Sequence, residues 1–417
     1  MENMPIIDIH THFHSDLSQY EVYLEAMERN RVESAVSLSQ PLPVIGTNKA
    51  LAYLAHLIAP EKFIPFTAID YRDAGDPDFG HKAVERLAED VEHGARGLKM
   101  HIHNTVISIH PYDDRLKPVY AKAGELGIPV LHHLSTRIGK GNSTLEKLDI
   151  HFSSETQYEA LKLMLAEHGD TMFVIPHLGC CTDKDSLDRF SELMETHPNL
   201  YADTSATFLF FAMMKEPSVF RDFILHHEDR VIFGTDMDLN STIDPERLGG
   251  FYNDAYDLSR KFFGSKGTYL LTDKQRKRRR EWVHETHRWE RLESHHGDMP
   301  GLELPDSTLR KLFYANAKRI LGAERVVDKG WSLAQAEALK QDLVKAKETA
   351  QIPDDAFDYA QYLIIMGKYT NEFLKEVAAE KGSKALRTAI SDRWEFSKAH
   401  TDRAIRILGE MMGEFGH

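Results

Sequence analysis

Cysteine is almost absent from this 417-residue sequence, which contains only the neighbouring pair Cys180 and Cys181. Adjacent cysteines rarely reach disulfide geometry, so the sequence argues against a disulfide-stabilised secreted fold, and both residues are expected to be free thiols. The pair follows His177 closely. We interpret both as loop or packing residues, and a redox or metal-binding role is the alternative.

Long apolar runs are also lacking, and basic residues are fewer than acidic ones. No stretch approaches the roughly 18 apolar residues that a membrane span requires. Pro5-Ile6-Ile7 already resembles a first strand and leaves no room upstream for a signal peptide, so we expect a cytoplasmic protein. Lys and Arg number 51 against 65 Asp and Glu, a formal net charge of −14. This balance argues against nucleic acid or an anionic membrane as a partner.

Strand-like and helix-like runs alternate through the first three-quarters of the chain. Amphipathic segments of helix length, such as 18–30 and 80–93, separate the strand candidates. This alternation is typical of parallel βαβ units and predicts an α/β fold, a (β/α)₈ TIM barrel. The eight predicted strands are 5–10, 35–39, 63–69, 96–102, 128–133, 171–177, 199–204 and 230–236.

Two regions are predicted in the chain. Residues 1–325 form the catalytic barrel, with an insertion at about 240–304 that we expect over the barrel mouth and an eighth barrel helix at 306–321. Residues 330–417 form a C-terminal α-helical extension, because Ala, Lys, Glu and Leu recur there in helical periodicity. Its apolar stripes predict packing against the barrel or a second subunit, and we expect a homo-oligomer.

Histidines and a carboxylate close four of the predicted strands, where a turn at the barrel mouth begins. His10 and His12 end the first strand and share one face, so both imidazoles can reach the same ion. His177 ends the sixth strand and Asp236 the eighth. On the fifth strand, His132 and His133 face opposite ways, and alternation alone does not decide between them. Carboxyl ends of barrel strands meet at one rim, which predicts a metal centre there.

The fourth strand places Lys99, His101 and His103 on its inner face. Two interpretations of Lys99 stand side by side: a lysine carboxylated by CO₂ that bridges two metal ions, and an ammonium that binds a substrate carboxylate. His101 and His103 are candidate substrate-binding residues or polar barrel filling. Arg137 is a candidate clamp for an anionic group, with simple solvation as its alternative.

Several phrases together resemble the amidohydrolase superfamily, in particular its amidohydrolase-2 branch of TIM-barrel hydrolases and decarboxylases, over about residues 4–324. The resemblance implies that His10, His12, His133 and Asp236 bind a divalent ion. It also implies that His177 orients the reactive water or completes a second metal site with Lys99. The phrases are His10-Thr11-His12, Gly97-Leu98-Lys99-Met100-His101, Pro129-Val130-Leu131-His132-His133, Pro176-His177-Leu178-Gly179, Tyr201-Ala202-Asp203-Thr204-Ser205, Phe233-Gly234-Thr235-Asp236 and Tyr314-Ala315-Asn316-Ala317-Lys318-Arg319-Ile320-Leu321.

The function expected from this resemblance is hydrolysis, with Asp236 and His177 as the catalytic residues. The bond would be an amide, ester or lactone of a small, anionic molecule, and one or two divalent ions would activate water. Zinc is the default ion, and manganese or iron also suits imidazoles with one carboxylate. Non-oxidative decarboxylation of a small carboxylic acid is the alternative, and a metal-binding protein without catalysis is a third reading.

Overall fold

The computed structural model describes residues 4–13, 17–39, 41–42, 46–101, 109–136, 152–239, 245–277, 299–348 and 405–416. Two candidate site residues, His103 and Arg137, lie outside these ranges. Residues 349–404, the larger part of the predicted C-terminal helical extension, also lie outside them.

Eight parallel strands form a TIM barrel, which confirms the predicted fold. Each strand pairs with the next along the chain. A ninth strand, β9 (Met237–Leu239), continues from β8 and pairs with β1. Hydrogen bonds from Ile9 N to Phe233 O (3.1 Å) and from Asp236 N to His10 O (2.8 Å) complete the ring. The eight strands are β1 (Ile6–Phe13), β2 (Val32–Leu38), β3 (Phe63–Ala68), β4 (Leu98–Met100), β5 (Val130–His132), β6 (Phe173–Ile175), β7 (Leu200–Asp203) and β8 (Val231–Ile232).

Helices follow the strands around the outside of the barrel, and local sequence sets some of their starts. The Ser153 hydroxyl accepts a hydrogen bond from Thr156 N at the start of α5 (Ser154–Glu167). The Asp183 carboxylate accepts one from Ser186 N at the start of α6 (Lys184–Thr196). Both caps satisfy backbone N–H groups that have no partner inside the helix. The helices are α1 (Leu17–Arg29), α2 (Lys49–Ile58), α3 (Phe79–Glu92), α4 (Lys117–Glu125), α5 (Ser154–Glu167), α6 (Lys184–Thr196), α7 (Thr207–Lys215), α8 (Pro217–His226) and α9 (Pro245–Gly264).

The barrel interior is an apolar core that a helix seals from below. Its strand residues include Ile7, Ile9, Val36, Leu38, Ile64, Phe66, Leu131, Val174 and Ile232. The sealing helix, α10, consists of Asp306–Arg310, a π-helical turn at Lys311–Ala315 and Asn316–Leu321. Its side chains Ala317, Ile320 and Leu321 join the interior cluster. Ligands therefore have to be held at the opposite rim, where the strands end.

The described part of the expected insertion lies along the barrel wall. Helix α9 packs beside α1, where Asn30 donates a hydrogen bond to the side chain of Asn253 (2.8 Å). Farther along α9, Arg260 donates to the carbonyl oxygens of Met4 (2.7 Å) and Asn30 (2.6 Å), near the start of β1. Helix α9 therefore lies along the barrel wall, and the expected position of the insertion over the mouth stays a prediction. Residues 278–298 of the insertion lie outside the described ranges.

The first helix of the C-terminal extension, α11 (Lys329–Glu348), packs against α2. A second helical segment at 405–413 also contributes buried side chains. The buried apolar residues of these two segments are Leu333, Ala336, Leu339, Leu343, Ile407, Leu408, Met411 and Met412. None of the described helices combines the length and apolarity that a bilayer span requires. The domain boundary near 325–330 and the homo-oligomer stay predictions.

Replacing Trp331 with alanine is expected to loosen the extension from the barrel. The indole stacks on His93 with ring centroids 4.6 Å apart, meets Tyr53 edge-on at 5.1 Å and donates from Nε1 to Glu89 (3.1 Å). Because Trp331 is only partly buried, we expect about 2 kcal/mol less stability rather than the larger loss of a core tryptophan. Chemical unfolding measures this change. Trp331→Phe, which keeps the ring stacking, should lose less than half as much, and equal losses for both variants would contradict the stacking account.

Candidate metal centre at the barrel mouth

Three metal-ligand side chains meet where β1 and the end of β8 approach each other. One Asp236 oxygen, Oδ1, lies 3.2 Å from Nε2 of His10 and 3.3 Å from Nε2 of His12. Two ligands on a tetrahedral zinc with bonds of roughly 2.0–2.1 Å are separated by about 3.3 Å. One ligand atom from each of the three residues lies within 4.8 Å of the others. The donor set and its spacing therefore fit a divalent cation.

A β-bulge in β1 turns both histidines toward the barrel interior. Ile7 and Ile9 already line the interior, so strict alternation would direct His10 and His12 outward. Between Asp8 and Thr11, however, β1 advances three residues while β2 advances two, from Ala35 to Ser37. The extra residue shifts the phase of the strand, as bulges near active sites do.

The segment between β8 and β9 is also irregular. Asp236 has a φ of 57°, which is uncommon for a residue with a side chain and marks a functional hypothesis. The buried Asp8 carboxylate stabilises this turn. Its Oδ1 accepts a hydrogen bond from Thr235 N (3.1 Å), and its Oδ2 accepts one from the Thr235 hydroxyl (2.7 Å). A side chain at Gly234 would place its Cβ 2.9 Å from the Cβ of His10. Only glycine therefore lets this turn approach β1 without displacing His10.

Asp203, the last residue of β7, and Ser205, two residues farther on, orient the imidazoles by hydrogen bonds. The Asp203 carboxylate accepts a hydrogen bond at Oδ2 from Nδ1 of His10 (2.8 Å) and one at Oδ1 from His177 N (2.9 Å). The Ser205 hydroxyl donates to Asp203 and lies 2.8 Å from Nδ1 of His177. Because that hydroxyl hydrogen is used, Nδ1 of His177 has to be the donor to Ser205. In both histidines Nδ1 therefore carries a proton, and Nε2 is the nitrogen left for an ion. Burial and Lys99 oppose protonation of His10, but Asp203 and Asp236 outweigh them and raise its pKa, so an ion has to displace a proton from His10 Nε2.

The turn that follows β6 is left-handed. His177, Leu178 and Gly179 have φ values of 58°, 46° and 67°, and Cys180 follows at 61°. Left-handed backbone costs roughly 1–2 kcal/mol at each non-glycine residue, so neighbouring bonds have to maintain it. Thr136 provides one, since its backbone N donates to Gly179 O (2.8 Å). Strain of this kind is concentrated at functional sites.

Further imidazoles extend the site along the rim. The ring of His177 stacks on His10 with centroids 5.2 Å apart and meets His133 at 5.1 Å, and His133 stacks on His101 at 4.5 Å. His132 instead is fully buried, with Nε2 3.2 Å from the Tyr120 hydroxyl. The structure thus places His133 at the rim beside His177 and His101, one imidazole away from the three convergent ligands.

Lys99 lies in the interior beneath the rim. Its neighbours Leu98 and Met100 belong to the core outside the barrel, so Lys99 faces inward as alternation predicts. The side chain is 1% exposed, and burial lowers the pKa of its ammonium to about 8 against the opposing charges of Asp236 and Asp203. Among the described residues, Lys99 forms no ion pair. The arrangement provides a buried positive charge below the metal ligands.

Charges within the site favour ionised carboxylates and a neutral His12. Burial lowers the pKa of His12 to about 4 despite its contact with Asp236. Burial would raise the pKa of both carboxylates, but the nearby histidines outweigh it. The pKa of Asp203 falls to about 2, and that of Asp236 lies well below its usual range. An anionic Asp236 beside the unprotonated Nε2 of His12 is the state that binds a cation.

Cys180 and Cys181, which follow His177 closely, differ in their surroundings. Both are free, and burial raises the pKa of the Cys180 thiol to about 12, so it stays protonated at neutral pH. Cys181 is fully buried, with Sγ 3.2 Å from Ser186 O. These surroundings fit packing residues.

Replacing Ser205 with alanine is expected to lower zinc affinity roughly 10- to 100-fold, the usual cost of losing a group that orients metal ligands. The variant removes a hydroxyl that contacts both His177 and His10, the latter at 3.1 Å. Competition against a chromogenic chelator measures the affinity. Ser259→Ala is the matched control, because that buried hydroxyl only donates to Ala255 O within α9 (2.6 Å). Equal affinities of the two variants would contradict the positioning role.

A protein-family model matches most of this chain. The family model described as amidohydrolase, Amidohydro_2, matches residues 7–323. No curated protein matches the sequence.

Three solved structures illustrate how distant the structural relatives are. An uncharacterised TIM-barrel protein from Bordetella bronchiseptica is 16% identical with a TM-score of 0.48, and the match covers 76% of this chain and 98% of that one. A 2,6-dihydroxybenzoate decarboxylase from Rhizobium is 12% identical with a TM-score of 0.42, covering 77% and 99%. A dihydroorotase from Campylobacter jejuni is 14% identical with a TM-score of 0.37, covering 57% and 70%.

These three similarities do not separate hydrolysis from decarboxylation. The family match at residues 7–323 covers most of the chain and includes every described candidate ligand at the barrel rim. The chain therefore belongs to the Amidohydro_2 family of amidohydrolases.

Proposed function

We propose that this chain is a metal-dependent hydrolase acting on an amide, ester or lactone bond of a small anionic molecule. The observation that carries the proposal is the convergence of His10, His12 and Asp236 above the buried ammonium of Lys99. A cation site with a positive charge beneath it suits a substrate that has both a polarisable carbonyl and an anionic group.

Nε2 of His10, Nε2 of His12 and Oδ1 of Asp236 would hold the first ion. His133 would contribute to the same ion, and His177 would either orient the reactive water or complete a second metal site. Zinc is our first choice, with manganese or iron as alternatives for this donor set. When bound, such an ion lowers the pKa of coordinated water toward about 7 and polarises a carbonyl.

Asp236 and His177 are the residues that we propose handle protons and water. The Asp236 carboxylate, ionised at neutral pH, takes a proton from the attacking water and passes it to the leaving group. The Nδ1 of His177 is occupied by Ser205, so its Nε2 is the atom able to orient that water by a hydrogen bond. Burial lowers the pKa of His177, which keeps the ring neutral for this role.

Lys99 has two roles under this proposal, and metal analysis separates them. As a carboxylated lysine it would bridge two ions, whereas as an ammonium it would bind the anionic group of the substrate. Loss of two metal equivalents together in Lys99→Ala supports the bridge. Retention of one equivalent refutes the bridge and supports the ammonium.

A product assay in ¹⁸O-labelled water tests the reaction type. Purified protein loaded with zinc or manganese is offered small anionic amides, esters, lactones and carboxylic acids. Hydrolysis predicts one ¹⁸O atom in the acid product and no CO₂. Release of CO₂ without ¹⁸O incorporation overturns the hydrolase and establishes the alternative, a non-oxidative decarboxylase. Metal binding without turnover of any member of the panel would support the third reading, a protein without catalysis.

A further inference from the structure

We propose a second divalent-cation site, formed by Glu195, His226 and His227 at the end of the barrel remote from the mouth. One ring nitrogen from each histidine and one carboxylate oxygen lie within 4.8 Å of one another. Nε2 of His226 is 2.9 Å from Oε1 of Glu195, and the two histidine rings are 4.6 Å apart at 81°. Two imidazoles and one carboxylate form a ligand set that zinc accepts.

The surroundings fix one ligand and leave the other two accessible. His227 is 3% exposed, packs against Phe223 and has Nε2 2.7 Å from the Ser191 hydroxyl. A hydrogen bond of this kind orients a ligand imidazole, as outer partners do in zinc sites. The side chains of Glu195 and His226 are 55% and 60% exposed, so an ion can reach them directly from solvent.

The two supporting helices add a favourable field. Glu195 belongs to the last turn of α6, His226 is the last residue of α8, and His227 caps that helix. The carboxyl end of a helix carries partial negative charge from its unpaired carbonyl groups, which attracts a cation. At this site two such ends converge. Arg230 donates to Met194 O and to His197 O (3.0 Å) beside it, and the Glu195 carboxylate has to offset this neighbouring positive charge when an ion binds.

The location separates this site from the metal centre at the mouth. Helix α6 leads into β7 and α8 leads into β8, so both helices end where the strands begin, and the strands end at the mouth. An ion held there joins two neighbouring helices on the face that, in barrels of this type, serves stability rather than chemistry. Zinc is the expected occupant, because imidazole with carboxylate favours borderline transition ions over calcium or magnesium.

Zinc titration of the full chain tests the proposal. Protein with its barrel centre already loaded is titrated with Zn²⁺ against a chromogenic chelator, and we expect one additional equivalent. Glu195→Gln and His226→Ala each remove an exposed ligand and should weaken that equivalent by at least roughly 10-fold, the lower end of the cost of losing an orienting group. Both side chains are largely exposed, so both variants are expected to fold.

His81→Ala is the matched control. His81 and Glu85 form an exposed histidine–glutamate pair on α3, with Nδ1 and Oε1 3.3 Å apart. Among the described residues no second histidine joins this pair in a possible metal-binding group, so its loss should leave the additional equivalent unchanged. The proposal is overturned if wild-type protein takes up no additional zinc, or if Glu195→Gln and His226→Ala bind it as tightly as His81→Ala does. Neither outcome depends on turnover, so the hydrolase proposal is tested separately.

Discussion

Replacing Asp236 with asparagine is expected to weaken zinc binding by at least roughly 100-fold and to abolish turnover, the largest effect that the structure predicts. The carboxylate is the only anion among the three convergent ligands. Asparagine keeps the shape but removes the charge, so the histidines would hold the ion with neutral donors alone. It also removes the proton acceptor that the proposed hydrolysis requires.

Bound metal per chain, measured by atomic emission after gel filtration, tests this prediction. Asp73→Asn is the control, because that carboxylate pairs with Arg86 at the surface (2.7 Å) and should have no effect on metal content. A full metal equivalent together with normal turnover in Asp236→Asn would show that the three convergent side chains are not the centre.

Replacing Lys99 with methionine is expected to stabilise the metal-free protein by about 1–3 kcal/mol at pH 7 while eliminating turnover. Burial disfavours the ammonium, and its pKa falls from 10.5 to about 8. Below pH 8 the folded chain therefore carries a buried charge that the unfolded chain exposes to water, which costs stability. As the pH rises from 8 to 10.5, the folded lysine is already neutral and the cost fades. The advantage of methionine should therefore shrink over this range.

Chemical unfolding with a chelator present, at pH 7 and again near pH 10, measures the effect. Lys122→Met serves as the control, because Lys122 pairs with Glu125 at the surface (2.7 Å) and should change stability by less than about 0.5 kcal/mol. A Lys99→Met variant that is less stable than the parent at pH 7 would indicate that Lys99 is paired or carboxylated in the resting protein.

The fold and much of the site can be predicted from strand periodicity. Alternating strands and helices predict the barrel, and polar residues at strand ends identify His10, His12, His177 and Asp236, because parallel strands end at one rim. Alternation also predicts the inward position of Lys99. Strand periodicity places these residues at the rim because it fixes where each strand ends. It does not give the local backbone there, since β1 carries a bulge and both His177 and Asp236 have positive φ. Their roles as ligands and catalytic residues stay predictions.

The supporting structure depends on irregular backbone and on distant contacts, which periodicity does not reveal. The bulge in β1 is visible only as a register shift against β2. Asp203 and Ser205 were not candidates in the sequence, although they lie at the end of the predicted strand 199–204 and within one of the family-like phrases. Their role becomes evident only when β7 is placed behind His10 and His177.

The closed lower end of the barrel determines how reactant and product can reach and leave the site. Side chains of α10 join the apolar interior and close the lower end, so the described residues leave no polar route through the barrel. Under the proposed function, reactant and product must both pass through the barrel mouth. Each turnover then ends only when the product has left the mouth. A slow-leaving product should therefore compete directly with the incoming reactant, and its inhibition should be overcome by raising the reactant concentration.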